Sequence, residues 1–176
     1  MKQPVKVIVT LSAGSATDVL ARIAFEQVGK QLGQTFVIEN RPGAAQALGT
    51  GLAARAEPDG YTVLVNSSTH TLFASMFNNV TFDVVRDFAG LAPLASIPTV
   101  MVTPPARGWN TLKDFVATAK AKPGSINFSS GGIGNSTHLA AERVRVASGF
   151  EAVHVPFAGA PEAINEVLSG RVDFYF

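Results

Sequence analysis

Short apolar runs alternate along this chain with stretches whose apolar residues recur every three to four positions. That pattern predicts strands alternating with helices, hence an α/β fold with mainly parallel strands. Val5-Lys-Val-Ile-Val-Thr10 reads as the first strand, and Val19, Leu20, Ile23, Ala24 and Val28 fall on one apolar helical face. Thr17 is placed to cap that helix, Asp18 suits its first turn, where the helix dipole favours an anion, and Gly33 ends it. Phe36-Val-Ile-Glu39 makes the next strand, Asn40-Arg-Pro-Gly43 a turn, and Leu48, Leu52 and Ala53 mark a second helix. Pro58-Asp-Gly60 turns the chain into a strand over residues 61–65. The pattern weakens from Asp83 to Ser96, and residues 98–103 then read as a strand leaving through the stiff Pro104-Pro105 pair. This predicts two lobes, residues 1–102 and 103–176.

In the second lobe, Thr111 and Asp114 have the spacing of a capping box opening a helix through Lys120. A strand at Ser125-Ile-Asn-Phe128 leads by way of a polar loop to a helical run from Leu139. Residues 151–155 form another strand, and Pro161 and Gly170 bracket a last helix. Arg171-Val-Asp-Phe-Tyr-Phe176 reads as a strand in full stride, so the chain is expected to be a piece of something longer.

Two of the polar loops share one design. Ser12, Ala13, Gly14, Ser15, Thr17 and Asp18 follow a strand and open a helix; Ser129, Ser130, Gly131, Gly134, Asn135, Ser136 and His138 do the same in the second lobe. A helix N-terminus carries unpaired N–H groups and partial positive charge, and a loop of small residues lets an anion approach them. Neither loop contains Lys or Arg, and no stretch fits the nucleotide phosphate loop. Gly132-Ile-Gly134 approaches a dinucleotide fingerprint, but Thr137 stands where the third glycine belongs. A carboxylate, held by amides and hydroxyls, fits such loops better than a polyphosphate. Ser67, Ser68 and His70 form a third polar loop beyond a strand end, the place where open α/β sheets bind ligands.

The remaining chemistry is sparse. Net charge is +1 with no run of like charges, which argues against nucleic acid as a partner. An apolar fraction of 47% supplies a core, yet no apolar stretch is long enough to cross a bilayer. The absence of cysteine excludes disulfides, thiolate metal sites and cysteine nucleophiles. His70 and His138 stand in polar loops, positioned to meet an anion or cap a helix, while His154 lies inside an apolar strand and reads as structural. No pair has metal-ligand spacing, no cofactor fingerprint is complete, and no Gly-x-Ser-x-Gly elbow supports a hydrolase. Arg41 is placed either to clamp a carboxylate or to tie its own turn, the second reading being favoured. Phe157 suits a cleft wall or core, and Asp173, polar among apolar neighbours, a cleft or a partner backbone.

An ordered set of short motifs carries a resemblance: Gly14-Ser-Ala-Thr-Asp18, Glu39-Asn-Arg-Pro-Gly-Ala44, Pro58-Asp-Gly-Tyr-Thr62, Asp87-Phe88, Pro123-Gly124, Ser136-Thr-His-Leu-Ala140, His154-Val-Pro-Phe157 and Gly170-Arg-Val-Asp173. Together they resemble the extracytoplasmic receptors of tripartite tricarboxylate transporters, the Bug family, over essentially the whole chain. The resemblance implies a two-lobed periplasmic-binding-protein fold (type II), incomplete at its C-terminus and lacking a signal peptide, so that strand edges left without the family's returning segments are expected to bring instability or self-association. It also implies a non-enzymatic, periplasmic receptor that passes a small carboxylate to membrane transporter subunits. Carried onto this sequence, the ligand would be held by residues 12–18 and 129–138, with Ser67 to His70 and Pro156 to Gly159 lining the rest. The chain departs from the family pattern at Thr10, usually proline, at Ser15, usually glycine, and at Phe157-Ala158, usually tyrosine-lysine. Ser15 is expected to crowd the first loop, and the loss of a hydroxyl and a cation at 157–158 to favour a less polar ligand. The rival readings are the effector-sensing domain of a transcription regulator, which needs a helix-turn-helix arm, and an α/β hydrolase-like enzyme.

Overall fold

The computed structural model describes residues 3–77 and 80–176. The chain divides into two compact units, Met1–Ile97 and Pro98–Phe176. The first contains strand β1 (Val5–Val9), helix α1 (Ala16–Leu32), β2 (Phe36–Asn40), α2 (Ala47–Ala54), β3 (Thr62–Val65) and the one-turn α3 (Phe73–Met76). Its sheet has the order β2-β1-β3 and is wholly parallel, with Val5 opposite Phe36 and Lys6 opposite Thr62. The second unit contains α4 (Leu112–Ala121), β4 (Ile126–Ser130), α5 (Ser136–Ser148), β5 (Ala152–Pro156), α6 (Ala160–Leu168) and β6 (Phe174–Tyr175). Its order, β5-β4-β6, repeats the same plan, again parallel throughout. In both, the first strand in sequence is central, and its neighbours arrive by crossovers that leave in opposite directions. That reversal opens a crevice at the carboxyl ends of the strands.

The cores are small and local. Val7, Val9, Ala21 and Val65 are buried together, with Phe25 and Phe36 beside them, their rings tilted and 5.1 Å apart. In the second unit Phe115, Phe128, Phe150 and Phe174 fill one side of the sheet, while Ala163, Val167 and Val172 pack with Tyr175 on another. Three expectations need correction. The α1 face that meets the sheet carries Asp18, Ala21 and Phe25, whereas Val19 and Ile23 stand 45% and 62% exposed. Bonds from Gly14 and Asn40 to the Asp18 carboxylate fix the helix's rotation, and Ala21 lets its backbone approach β1 closely. Residues 98–103 form no strand; Val102 makes a single antiparallel bridge to Tyr175. β4 runs on through Ser129 and Ser130, which the sequence pattern assigned to the loop.

Candidate functional site

Each unit gathers its polar loops at the carboxyl ends of its strands. In the first, Ser15, not Thr17, caps α1: its Oγ accepts from Asp18 N at 3.3 Å, and its φ of −67° needs no glycine. The Ser15 side chain therefore turns into the helix head instead of crowding the loop. Asp18, 2% exposed, accepts from Gly14 N (2.8 Å), Asn40 Nδ2 (2.9 Å) and Arg22 Nε (3.0 Å). Burial alone would raise its pKa, but these bonds and the Arg22 charge hold the carboxyl below its ordinary value. Asp18 is thus an ionised brace at neutral pH that shapes the loop, and its oxygens are already engaged.

Ser67 caps the short 3-10 turn Ser68–Leu72, and the pocket beside it is organised by a residue the sequence did not single out. Gln46 is 4% exposed and sits on a turn in which Ala44, Ala45 and Gln46 all have positive φ (46°, 52° and 74°). Three successive left-handed non-glycine residues are unusual, with a strain of roughly 1–3 kcal/mol each. The compensation is visible: Gln46 Oε1 accepts from Thr10 Oγ1 (2.9 Å) and Ser67 Oγ (3.2 Å), and Nε2 donates to Thr69 Oγ1 (2.9 Å). The backbone carbonyl of Gln46 accepts from Thr50 Oγ1 (2.9 Å). His70 turns away from this cluster, with Nε2 3.2 Å from Val84 O and its ring edge-on to Phe73 and Phe88. Ser68 is exposed, and its carbonyl accepts from Thr71. Arg41 pairs with Glu39 at 2.9 Å, not with a neighbouring backbone.

In the second unit Asn135 caps α5, its Oδ1 accepting from His138 N (3.0 Å) and Thr137 Oγ1 (2.8 Å). The helix begins three residues before the expected Leu139. The loop's glycine amides prove to be taken internally: Gly131 N donates to Thr137 Oγ1, Gly132 N to Ser130 Oγ and Gly134 N to His138 Nδ1. Among the described residues, the first two amides of α1 (Ala16 and Thr17) and of α5 (Ser136 and Thr137) have no hydrogen-bond partner and stand open to an anion. Gly131 is required on steric grounds, since a Cβ there would stand 2.7 Å from Asn135 Nδ2.

His154 belongs to this loop cluster, a link its apolar sequence neighbours concealed. Its ring stacks on His138 with centroids 4.0 Å apart and 9° between planes, the Phe128 ring lies nearly parallel to it at 4.7 Å, and Nε2 lies 2.6 Å from Ser130 Oγ. Burial, then the neighbouring His138 ring, push its pKa down to about 4 against a partial offset from Glu142; burial also lowers His138. The Ser130–His154 contact is no nucleophile and base, because Ser130 is fully buried and its oxygen also accepts from Gly132 N. Phe157 borders this loop through its backbone, its N donating to Ser130 O at 3.0 Å, while its side chain packs against the cluster of Ala163, Val167, Val172 and Tyr175. Another expected site residue lies elsewhere. Asp173 sits at the opposite end of the strands, where it accepts from Asn127 N (2.8 Å) and pairs with Arg107, so it is structural and does not face the loop. Among the described residues no group of three or more His, Asp or Glu side chains could hold a metal ion, and no helix is long and apolar enough to cross a membrane.

Comparison with known proteins agrees with this architecture. Residues 20–176 match the tripartite tricarboxylate transporter family receptor. A protein from the tcbD–tcbE intergenic region of Pseudomonas sp. strain P51 is 32% identical over 171 residues, covering 97% of this chain and 51% of its own. The structure of the periplasmic binding protein BugD aligns over 99% of this chain and 58% of its own, with 27% identity and a TM-score of 0.88. MatC from Rhodopseudomonas palustris, solved with bound malate, aligns over 98% of this chain and 59% of its own, with 26% identity and a TM-score of 0.90. The chain thus has the α/β periplasmic-binding-protein fold and spans about half the length of the curated relatives it matches. It belongs to the receptor family of the tripartite tricarboxylate transporters, a family of solute-binding proteins and not of enzymes.

Proposed function

We propose that this chain is part of a periplasmic receptor that binds a small carboxylate and delivers it to a tripartite tricarboxylate-type transporter. The observation that carries this reading is the pair of uncharged loops, each ending on a capped helix whose first two amides are open. Amides and hydroxyls at a helix N-terminus satisfy a carboxylate's limited charge without a cation. The residues proposed to bind are Ser12 to Ser15 and Thr17 in the first loop and Ser129 to Ser136 and His138 in the second, with Asp18 bracing the first. Support for the ligand class comes from the malate bound to MatC, and for the compartment from BugD. The deciding experiment is calorimetry of the folded chain against di- and tricarboxylates, acidic amino acids and aromatic acids. Saturable one-to-one binding of an acid is the expected result. Silence across that panel, repeated with a longer version of the protein, would rule out the carboxylate receptor.

A further inference from the structure

We propose that Gln46 makes Ser67 a hydrogen-bond acceptor toward the ligand, so that the site selects carboxylates bearing a hydroxyl or ammonium donor over unsubstituted dicarboxylates. The inference rests on the receptor function proposed above and narrows its substrate class. Gln46 Oε1 is a buried carbonyl oxygen with two lone pairs, one taken by the fully buried Thr10 hydroxyl at 2.9 Å and the other facing Ser67 Oγ at 3.2 Å. Ser67 Oγ also lies 3.0 Å from Thr69 Oγ1. A serine hydroxyl has one proton, and both of these acceptors draw it inward. One lone pair of the half-buried Ser67 accepts from Thr69 N at 3.4 Å, and the other is left to accept an O–H or N–H of the ligand, while a carboxylate oxygen there is repelled.

The geometry is built, not incidental. Gln46 reaches this point only because the chain runs left-handed through Ala44, Ala45 and Gln46, and the amide spans hydroxyls from the ends of two different strands, β1 and β3. Those ends flank the central crevice of the first sheet. A buried polar contact made for one substrate group penalises the analogue that lacks it, because the protein atom is then left without a partner.

The experiment compares malate and aspartate with succinate by calorimetry, on the wild-type chain and on Gln46→Gly and Ser67→Ala, with thermal unfolding run in parallel. Glycine tolerates the left-handed backbone at position 46, so that variant is expected to stay folded, and Ser67→Ala supplies an independent test. The wild type should prefer malate or aspartate over succinate by about tenfold or more. Gln46→Gly removes one of the two inward acceptors, leaving Thr69 Oγ1, and should shrink that preference by about threefold, chiefly by strengthening succinate. Ser67→Ala should abolish the preference while leaving succinate within about twofold. Equal wild-type affinities, or a preference retained in both variants, would overturn the inference and leave the receptor reading standing. Failure of every acid to bind the folded wild type would overturn both.

Discussion

Acid should unfold the second unit through His154, and the size of the effect can be worked out in advance. The ring is neutral in the folded chain down to about pH 4, whereas an unfolded histidine takes its proton near 6.5. With the folded value depressed, stability is intact above pH 6.5 and falls as pH drops from there toward 4, because only the unfolded chain binds the proton in that window. At about 1.4 kcal/mol per tenfold, the gap sets a ceiling of about 3 kcal/mol. Part of the ring edge remains in water, so about half of that, 1–2 kcal/mol, is expected between pH 7 and 4.5. The charged and titratable neighbours are few: His138 on one face, whose own pKa is lowered and adds in the same sense, and Glu142, which works against both. Trp109, the single tryptophan, supplies the signal, since it packs edge-on against Phe115 in the same core and donates to Thr118 Oγ1. Urea unfolding followed by Trp109 fluorescence at a series of pH values should show the loss in the wild type. His154→Gln removes the titration while keeping a polar atom for Ser130, and should flatten the profile by about 1 kcal/mol or more. Parallel profiles for the two proteins, or a His154 ring titrating near 6.5 by NMR, would refute the reasoning.

Three further outcomes follow from the geometry. Gly131→Ala places a Cβ against the Asn135 amide and should displace the α5 cap, losing about 1 kcal/mol in urea unfolding and weakening carboxylate binding; unchanged values of both would dismiss the steric account. Ser15→Ala should cost about 1 kcal/mol but Ser15→Gly only a few tenths, and equal losses would show that Ser15 does something other than cap. Asp173→Ala strands the Asn127 N–H and unpairs Arg107, for a loss of about 2–3 kcal/mol, while Asp173→Asn keeps an acceptor and should lose about half as much; calorimetric unfolding distinguishes them, and carboxylate affinity should be unaffected by either.

Much of this was legible in the sequence because it is local. The five longer strands, the capping box at Thr111 and Asp114, and the two strand-loop-helix junctions all follow from period, cap chemistry and turn residues within about fifteen positions. What escaped depends on partners far along the chain. The side of α1 that faces the sheet is fixed by Asn40, which reaches Asp18 across 22 positions. The partners of His154 were hidden by its apolar strand neighbours, and only the pairing of β4 with β5 brings it to Ser130 and His138. Gln46 gave no signal at all, since its neighbours Ala44 and Ala45 have no tendency toward the left-handed turn that aims it. Even the loop chemistry was half readable: the helix heads were evident, but the side chains that consume the glycine amides were not.

The central position of each unit's first strand has a consequence for how the chain is made. β1 leaves the ribosome before β2, which begins about thirty residues later, and before β3, which begins later still. At roughly 5–20 residues per second, Val5-Lys-Val-Ile-Val9 waits for seconds with both backbone edges unpaired. The run has high β-propensity, one charge and no proline, which makes it prone to pair with a second nascent chain. β4 repeats the hazard in the second unit, with Asn127 and two serines in place of most of the aliphatic side chains. Yield during biosynthesis should therefore respond to whatever shields the first strand while its partners are still being translated.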